Sequence, residues 1–191
     1  MEPQRLDRLL VDRGLVASRP RAERLIVDHG VKVNGSTVHK PGKKVPADAV
    51  LEPLGEDLPW VSRGALKLIA ALDHFQCDPS GRTILDLGAS TGGFTEVCLH
   101  RNATRVHAVD VGKGQLVDAL KNDARVNNLE QLHLKDLSAS HLDPAPNAVV
   151  MDLSFISLAH VWPRMAQWIA PKGWGIALVK PQFEVGQKHL G

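Results

Sequence analysis

The chain has 191 residues, 43% of them hydrophobic and 23% charged, with a net charge of +2. That balance excludes a disordered chain, and no run approaches about 18 uncharged apolar residues, so no transmembrane helix is expected. Two isolated cysteines, Cys77 and Cys98, exclude a disulfide scaffold and offer no cysteine-ligated zinc site; no metal is expected. The opening MEPQRLDRLLVDRG is too charged for a secretory signal, which points to the cytoplasm. The charge is uneven: residues 1–46 carry +5 and residues 47–191 carry −3. A basic head suits a polyanionic partner, and a basic solvated surface suits the same numbers.

Leu6, Leu9 and Leu10 fall at i, i+3 and i+4 and predict a short helix that stops at Gly14. Ser18 is placed to cap a second helix, with Pro20 in its first turn and Ala22, Leu25 and Ile26 on its apolar face. Val31 and Val33 then alternate with polar residues before Asn34-Gly35, a strong hairpin signal. Further strands are expected from Lys43 to Val45 and near Val50-Leu51. The unit holds no aromatic residue before Trp60, so base stacking is not its mode, and phosphate contact fits better. In RLDRLLVDRG, SRPRAERLI and HGVKVNG it resembles the small RNA-binding domain first seen in ribosomal small-subunit protein four. That resemblance implies RNA contact through the second helix and the hairpin. The candidate contacts are Arg5, Arg19, Arg21, Arg24, Lys32, Asn34, Lys43 and Lys44, with Arg19, Arg21 and Arg24 forming a basic ridge.

EPLGEDLPWV, residues 52–61, reads as a linker. From Ser62 helices and strands alternate. The expected order is the helix SRGALKLIAALDHF, the strand TILDLG, the helix TGGFTEVCLH, the strand RVHAVDVG ending at Asp110, and the helix QLVDALKND. Then follow strands LEQLHLKD ending at Asp136 and NAVVMDLSF ending at Asp152, the helix LAHVWPRMAQWIA, and the strand WGIALVKPQF ending at Lys180. Such alternation predicts a doubly wound parallel sheet, which binds ligands beyond the carboxyl ends of its strands. The four strand-end charges then share one rim.

Three chemistries compete for the turn Asp86 to Phe94. A dinucleotide site needs a glycine where Ser90 stands. Gly88-Ala89-Ser90-Thr91-Gly92 matches a hydrolase elbow, with Asp152, His160 and His189 as later partners, but it follows the first strand of its domain and has no oxyanion segment. S-adenosylmethionine, without phosphates, needs close backbone approach, an acid for the ribose and polar contacts near the adenine. Gly88 to Gly93, Asp110 and Asp136 supply these in order; helix capping is the bland alternative for each acid.

WVSRGALKL, DLGASTGGFTEVCL, AVDVGKGQL, DLSFIS and LVKPQFEVG together resemble the TlyA family, hemolysin A-like ribosomal RNA 2′-O-methyltransferases related to the FtsJ type. The resemblance implies a Rossmann-like S-adenosylmethionine-dependent methyltransferase domain over residues 65–191, behind an α+β RNA-binding domain over residues 1–58 and a linker over 59–64. It implies methylation of cytidine ribose in ribosomal RNA or ribosomal subunits. The hemolysin label also suggests membrane lysis, but the absence of an apolar span or strongly amphipathic basic helix argues against a pore, so no membrane partner is expected. The catalytic candidates it implies are Lys67, Asp152 and Lys180, with Lys180 taking the hydroxyl proton and Lys67 positioning. Cofactor contacts are expected from Asp86, Gly88, Ala89, Ser90, Thr91, Gly92, Gly93, Phe94, Asp110, Val111, Asp136 and Leu137. A ribose hydroxyl needs such a base, and ammonium groups crowded together and against a sulfonium give up protons more readily. The family's glutamate lies on a later strand, and Glu184 is too close to Lys180 to be it. The sheet is therefore expected to lack its last strands and activity to be weak. The alternative is a catalytically impaired RNA- or ribosome-binding protein.

Overall fold

In the computed structural model, which describes residues 2–165 and 167–185, the chain opens with a two-residue strand, β1 (Gln4–Arg5), that runs directly into helix α1 (Leu6–Asp12). Helix α2 (Arg19–Asp28) follows, then β2 (Val31–Val33), β3 (Ser36–Val38), β4 (Lys44–Val45) and β5 (Leu51–Pro53). The apolar faces of α1 and α2 close on Val31, Val38 and Val45 to make one core. Asn34 (φ 48°) and Gly35 (φ 82°) are both left-handed, as a tight hairpin turn between β2 and β3 requires. β2 is central in an antiparallel sheet of order β3-β2-β5, and β1 pairs with β4.

Glu52 and Pro53, expected in a linker, belong to β5. Proline is tolerated there because β5 is an edge strand and loses no ladder bond. Asp57 and Leu58 are tied back to α2: Arg21 donates to Asp57 and Arg24 to the carbonyl of Leu58. The division between the two compact units of the chain falls between Pro59 and Trp60.

The second unit contains α3 (Gly64–Phe75), β6 (Thr83–Leu87), α4 (Gly93–His100), β7 (Arg105–Val109), α5 (Asp118–Lys121) and β8 (Val126–Leu129). It continues with β9 (Ala148–Met151), α6 (Leu158–Met165), β10 (Trp174–Ala177) and α7 (Pro181–Glu184). The strands form one parallel sheet of order β10-β9-β6-β7-β8. Both faces are covered, which explains the continuous apolar runs. Ile84, Val106 and Val150 join one core with Leu68 and Val97, whereas Leu85, Val109 and Val149 join the other with Val161 and Met165. The winding reverses between β6 and β9, and this switch point is where a doubly wound sheet opens a crevice.

Three expected boundaries move. The third strand of the sheet is β8, ending at Leu129, and does not run to Asp136. Leu132 and Leu134 alternate with polar residues like a strand, but Gln131 turns left-handed (φ 58°) and both leucines pack on the second core from a loop. The helix expected over 115–123 is reduced to α5, because the backbone N–H groups of Gln115 and Leu116 donate to the Glu130 carboxylate at 2.6 and 2.9 Å. Finally, β10 stops at Ala177, so Lys180 stands at the start of α7 rather than at a strand end.

Candidate active site

Asp152 follows β9 at the switch point. Its backbone closes on Gly88, which follows β6: a Cβ at Gly88 would stand 2.8 Å from the Asp152 carbonyl oxygen, and Gly88 also has φ +81°. Only glycine meets both demands. A second close approach occurs at Gly93, where a Cβ would meet the Ser62 hydroxyl just ahead of α3. These two contacts bring β6, β9 and α3 to one rim.

On that rim Lys180 Nζ lies 2.6 Å from Asp152 Oδ1, and Lys67 Nζ lies 3.9 Å from Oδ2. Lys180 also donates to the Ser154 hydroxyl at 2.8 Å. Both ammonium groups thus touch one carboxylate, one on each oxygen. Asp152 and Lys180 keep 23% and 22% of their side chains exposed, so the pair remains open to a ligand. Ser154 was not singled out from the sequence, although it stands inside DLSFIS. Glu184 is turned elsewhere: it accepts hydrogen bonds from the Ser157 hydroxyl and the Leu158 N–H, at the start of α6.

Two clefts of about 630 and 490 Å³ share Gly88, Ser90 and Asp152. The larger runs from Asp110 and Val111 past Leu132 to Leu153 and Ile156. The smaller is lined by Arg63, Lys67, Ala89, Thr91, Gly93 and Phe94. Asp110, just after β7, accepts the Ser90 N–H on Oδ2 at 2.8 Å and the Gly112 N–H on Oδ1 at 2.7 Å. A carboxylate has lone pairs beyond these two, so Asp110 can still accept from a ribose diol. An acid beside apolar walls, with no lysine or arginine among the described residues lining the larger cleft, fits an adenosine carrying no phosphate.

Four expected cofactor contacts lie elsewhere. Asp86 is inside the sheet with no exposure; burial pushes its carboxyl up to about 7, against the hydroxyl of Thr95, which donates to Oδ2 at 2.6 Å. Gly92 is buried at the start of α4, its α-carbon facing Leu116 and Leu120. Asp136 is exposed and lines neither cleft, and Leu137 is buried in the second core. Leu132, His133 and Leu134 take the place expected for Asp136 and Leu137, because β8 ends seven residues earlier than Asp136. Glu130 is a residue the sequence reading missed. Its carboxylate holds the loop before α5, and those backbone hydrogen bonds draw its carboxyl down to about 2. His189 lies outside the described residues.

In the first unit the basic residues separate into two groups. Arg21 and Arg24 are half-buried and committed to Asp57 and Leu58, so they do not form a ridge with Arg19. Lys32 pairs with Glu52 across β2 and β5 at 3.4 Å, and the Asn34 carboxamide oxygen accepts the Val50 N–H. Arg5 and Arg19 share Asp7, and Lys43 and Lys44 are exposed. Among the described residues no helix is long and apolar enough to cross a membrane.

Residues 60–191 match the model of the FtsJ-like methyltransferase family, and residues 4–51 match that of the S4 domain. The chain is 45% identical over 188 residues to the 16S/23S rRNA (cytidine-2′-O)-methyltransferase TlyA of Mycobacterium tuberculosis, covering 98% of this chain and 70% of that protein. It is 36% identical over 181 residues to Hemolysin A of Brachyspira hyodysenteriae, covering 94% and 75% respectively. Among solved structures, a candidate hemolysin from Streptococcus thermophilus superposes with a TM-score of 0.72 at 40% identity, over all of this chain and 70% of that one.

Proposed function

The chain belongs to the TlyA group of FtsJ-like methyltransferases, and on that premise we propose that it methylates ribose 2′-hydroxyls of cytidines in ribosomal RNA with S-adenosylmethionine. The observation that carries this reading is the single carboxylate of Asp152 holding Lys180 and Lys67 beside the Gly88 turn. S-adenosylmethionine supplies an electrophilic methyl group. Asp110 would hold the ribose of that cofactor beside the Gly88–Ser90 turn, and Val111, Leu132 and Ile156 would offer an apolar wall to its adenine.

The remaining chemistry belongs to the side chains of the rim. A ribose hydroxyl attacks well only as its proton leaves. Lys180 is held at the rim by Asp152 and Ser154. As an ammonium group it orients the hydroxyl oxygen, and only as a neutral amine does its lone pair take the hydroxyl proton while the methyl group passes from the sulfonium to the oxygen. Lys67, more exposed, steers the nucleotide into line. Because in-line approach is strict, positioning supplies much of the rate. Residues 1–58 serve as the RNA-binding domain and residues 65–191 as the methyltransferase domain, and a ribosomal RNA substrate puts the work in the cytoplasm.

The test is transfer of labelled methyl from S-adenosylmethionine to transcribed 16S and 23S rRNA, followed by nucleoside analysis. Label in 2′-O-methylcytidine is the expected result. Label in a methylated base would contradict the reading, as would label dependent on NAD. RNA binding without any transfer would favour the catalytically silent alternative.

A further inference from the structure

At the start of α1 the carboxylate of Asp7 collects four donors. Arg5 donates Nε to Oδ1 at 3.0 Å and Nη2 to Oδ2 at 2.8 Å. Arg19 donates Nε to Oδ2 at 2.9 Å, and the backbone N–H of Arg8 donates to Oδ1 at 2.9 Å. The Asp7 side chain has no exposure, whereas those of Arg5 and Arg19 keep 46% and 56%. Asp7 therefore cannot meet a ligand, but both guanidinium groups can.

A guanidinium carries five N–H donors in a rigid plane. Arg5 spends one edge on Asp7 and keeps the edge that includes Nη1. Arg19 spends Nε on Asp7 and Nη2 on Glu23 at 3.2 Å, which leaves Nη1. Arg5 stands opposite Lys44 across the β1–β4 pair, so the two side chains share a face. Gly42 lies against the Arg5 guanidinium, since a Cβ there would stand 3.1 Å from Nη1. Neither Lys43 nor Lys44 has an acidic partner among the described residues.

We propose that Asp7 is a positioning residue for RNA: it holds Arg5 and Arg19 so that their outward N–H groups, with Lys44, form a pre-ordered site for a backbone phosphate. This rests on the reading of the first unit as RNA-binding. An arginine that has already lost its rotamer freedom on folding loses little more when it binds. Simple charge counting predicts the reverse, because removing an acid beside a polyanion site strengthens attraction. An ion pair that only ties α1 to α2 predicts lower stability and no change in RNA affinity.

The full chain, its Asp7→Asn variant and its Arg5→Lys variant are titrated with transcribed 23S rRNA at several salt concentrations. Calorimetry with S-adenosylmethionine accompanies each as a check on the second unit. Both variants are expected to bind RNA about tenfold more weakly with unchanged cofactor affinity, although Asp7→Asn removes a negative charge and Arg5→Lys keeps the positive one. The salt dependence of Arg5→Lys is expected to correspond to about one phosphate contact fewer. Equal or tighter binding by Asp7→Asn overturns the proposal. If Asp7→Asn does not fold, Arg5→Lys decides alone, and unchanged affinity for that variant overturns the proposal. A wild-type chain without RNA affinity would instead break the underlying RNA reading, and is recognised by failure before any substitution is made.

Discussion

Both units of the molecule are organised around one carboxylate that holds two cations, but they choose different cations. Asp7, fully buried, holds Arg5 and Arg19 through shared N–H edges. Asp152, partly open in a cleft, holds Lys180 and Lys67 as point charges. A guanidinium keeps its charge at any working pH and recognises phosphate by shape; an ammonium group can give up its proton. The first arrangement suits permanent recognition, and the second suits a group that handles a hydroxyl proton. Asp86 completes the contrast: it is as buried as Asp7 but has no cationic partner among the described residues, and its carboxyl moves in the opposite direction. Burial alone does not decide the state of an acid; its partners do.

The sharpest way to break this contrast is at Lys180. Lys180→Ala should lower methyl transfer by about 10²–10⁴-fold while S-adenosylmethionine affinity by calorimetry stays within about twofold, the pattern of a group acting on the hydroxyl. A matching loss of cofactor affinity would move Lys180 into the cofactor site. Asp110→Ala should do the converse, weakening S-adenosylmethionine binding by about 1.5–3 kcal/mol through loss of a charged hydrogen bond.

The two buried acids give opposite pH dependences. Arg5, then Arg19, holds the Asp7 carboxyl well below the usual carboxylate range, so its stabilisation is complete above the unfolded pKa of about 4 and is lost as pH falls below it. Asp7→Ala should cost about 1.5–3 kcal/mol in denaturant unfolding at pH 7, below the figure for a fully buried pair because both arginines are half-exposed. Asp86 is raised by burial to about 7, so the folded state holds its proton more tightly than the unfolded chain does. Stability should therefore decline between about pH 4 and pH 7, and Asp86→Asn should recover about 1–2 kcal/mol at pH 8 and flatten that decline. A variant less stable than wild type at pH 8 would show that the Asp86 carboxylate is needed in its charged form.

Much of this was legible in the residues, for reasons that also explain what was not. Leu6, Leu9 and Leu10, the Asn34-Gly35 turn, and the apolar runs ending at Asp110 and Asp152 are local patterns, and local patterns survive folding. Asp136 does not end a strand, because the alternating Leu132 and Leu134 serve a loop on the core as well as they serve a strand. The burial of Asp86 is not legible, because nothing in TILDLG tells which residues of a buried strand reach its open end. The basic ridge failed because Arg21 finds Asp57 thirty-six residues away, a contact no periodicity encodes. The same blindness hid the Asp7 cluster, in which Arg19 is twelve residues from its partner. Lys180 lies beside Asp152 although its strand ends early, since the start of α7 returns it there.

Lys180 beside Asp152 is proposed to take the proton of the ribose hydroxyl rather than to act through its charge alone. Single-turnover methyl transfer to 23S rRNA by Lys180→Arg, at saturating S-adenosylmethionine and RNA, tests this directly. The substitution keeps a positive charge beside Asp152 but offers no neutral form at working pH that could accept a proton. The account predicts a rate at least about 100-fold below wild type with both ligands still bound. A rate equal to wild type would contradict it and leave Lys180 as an electrostatic anchor.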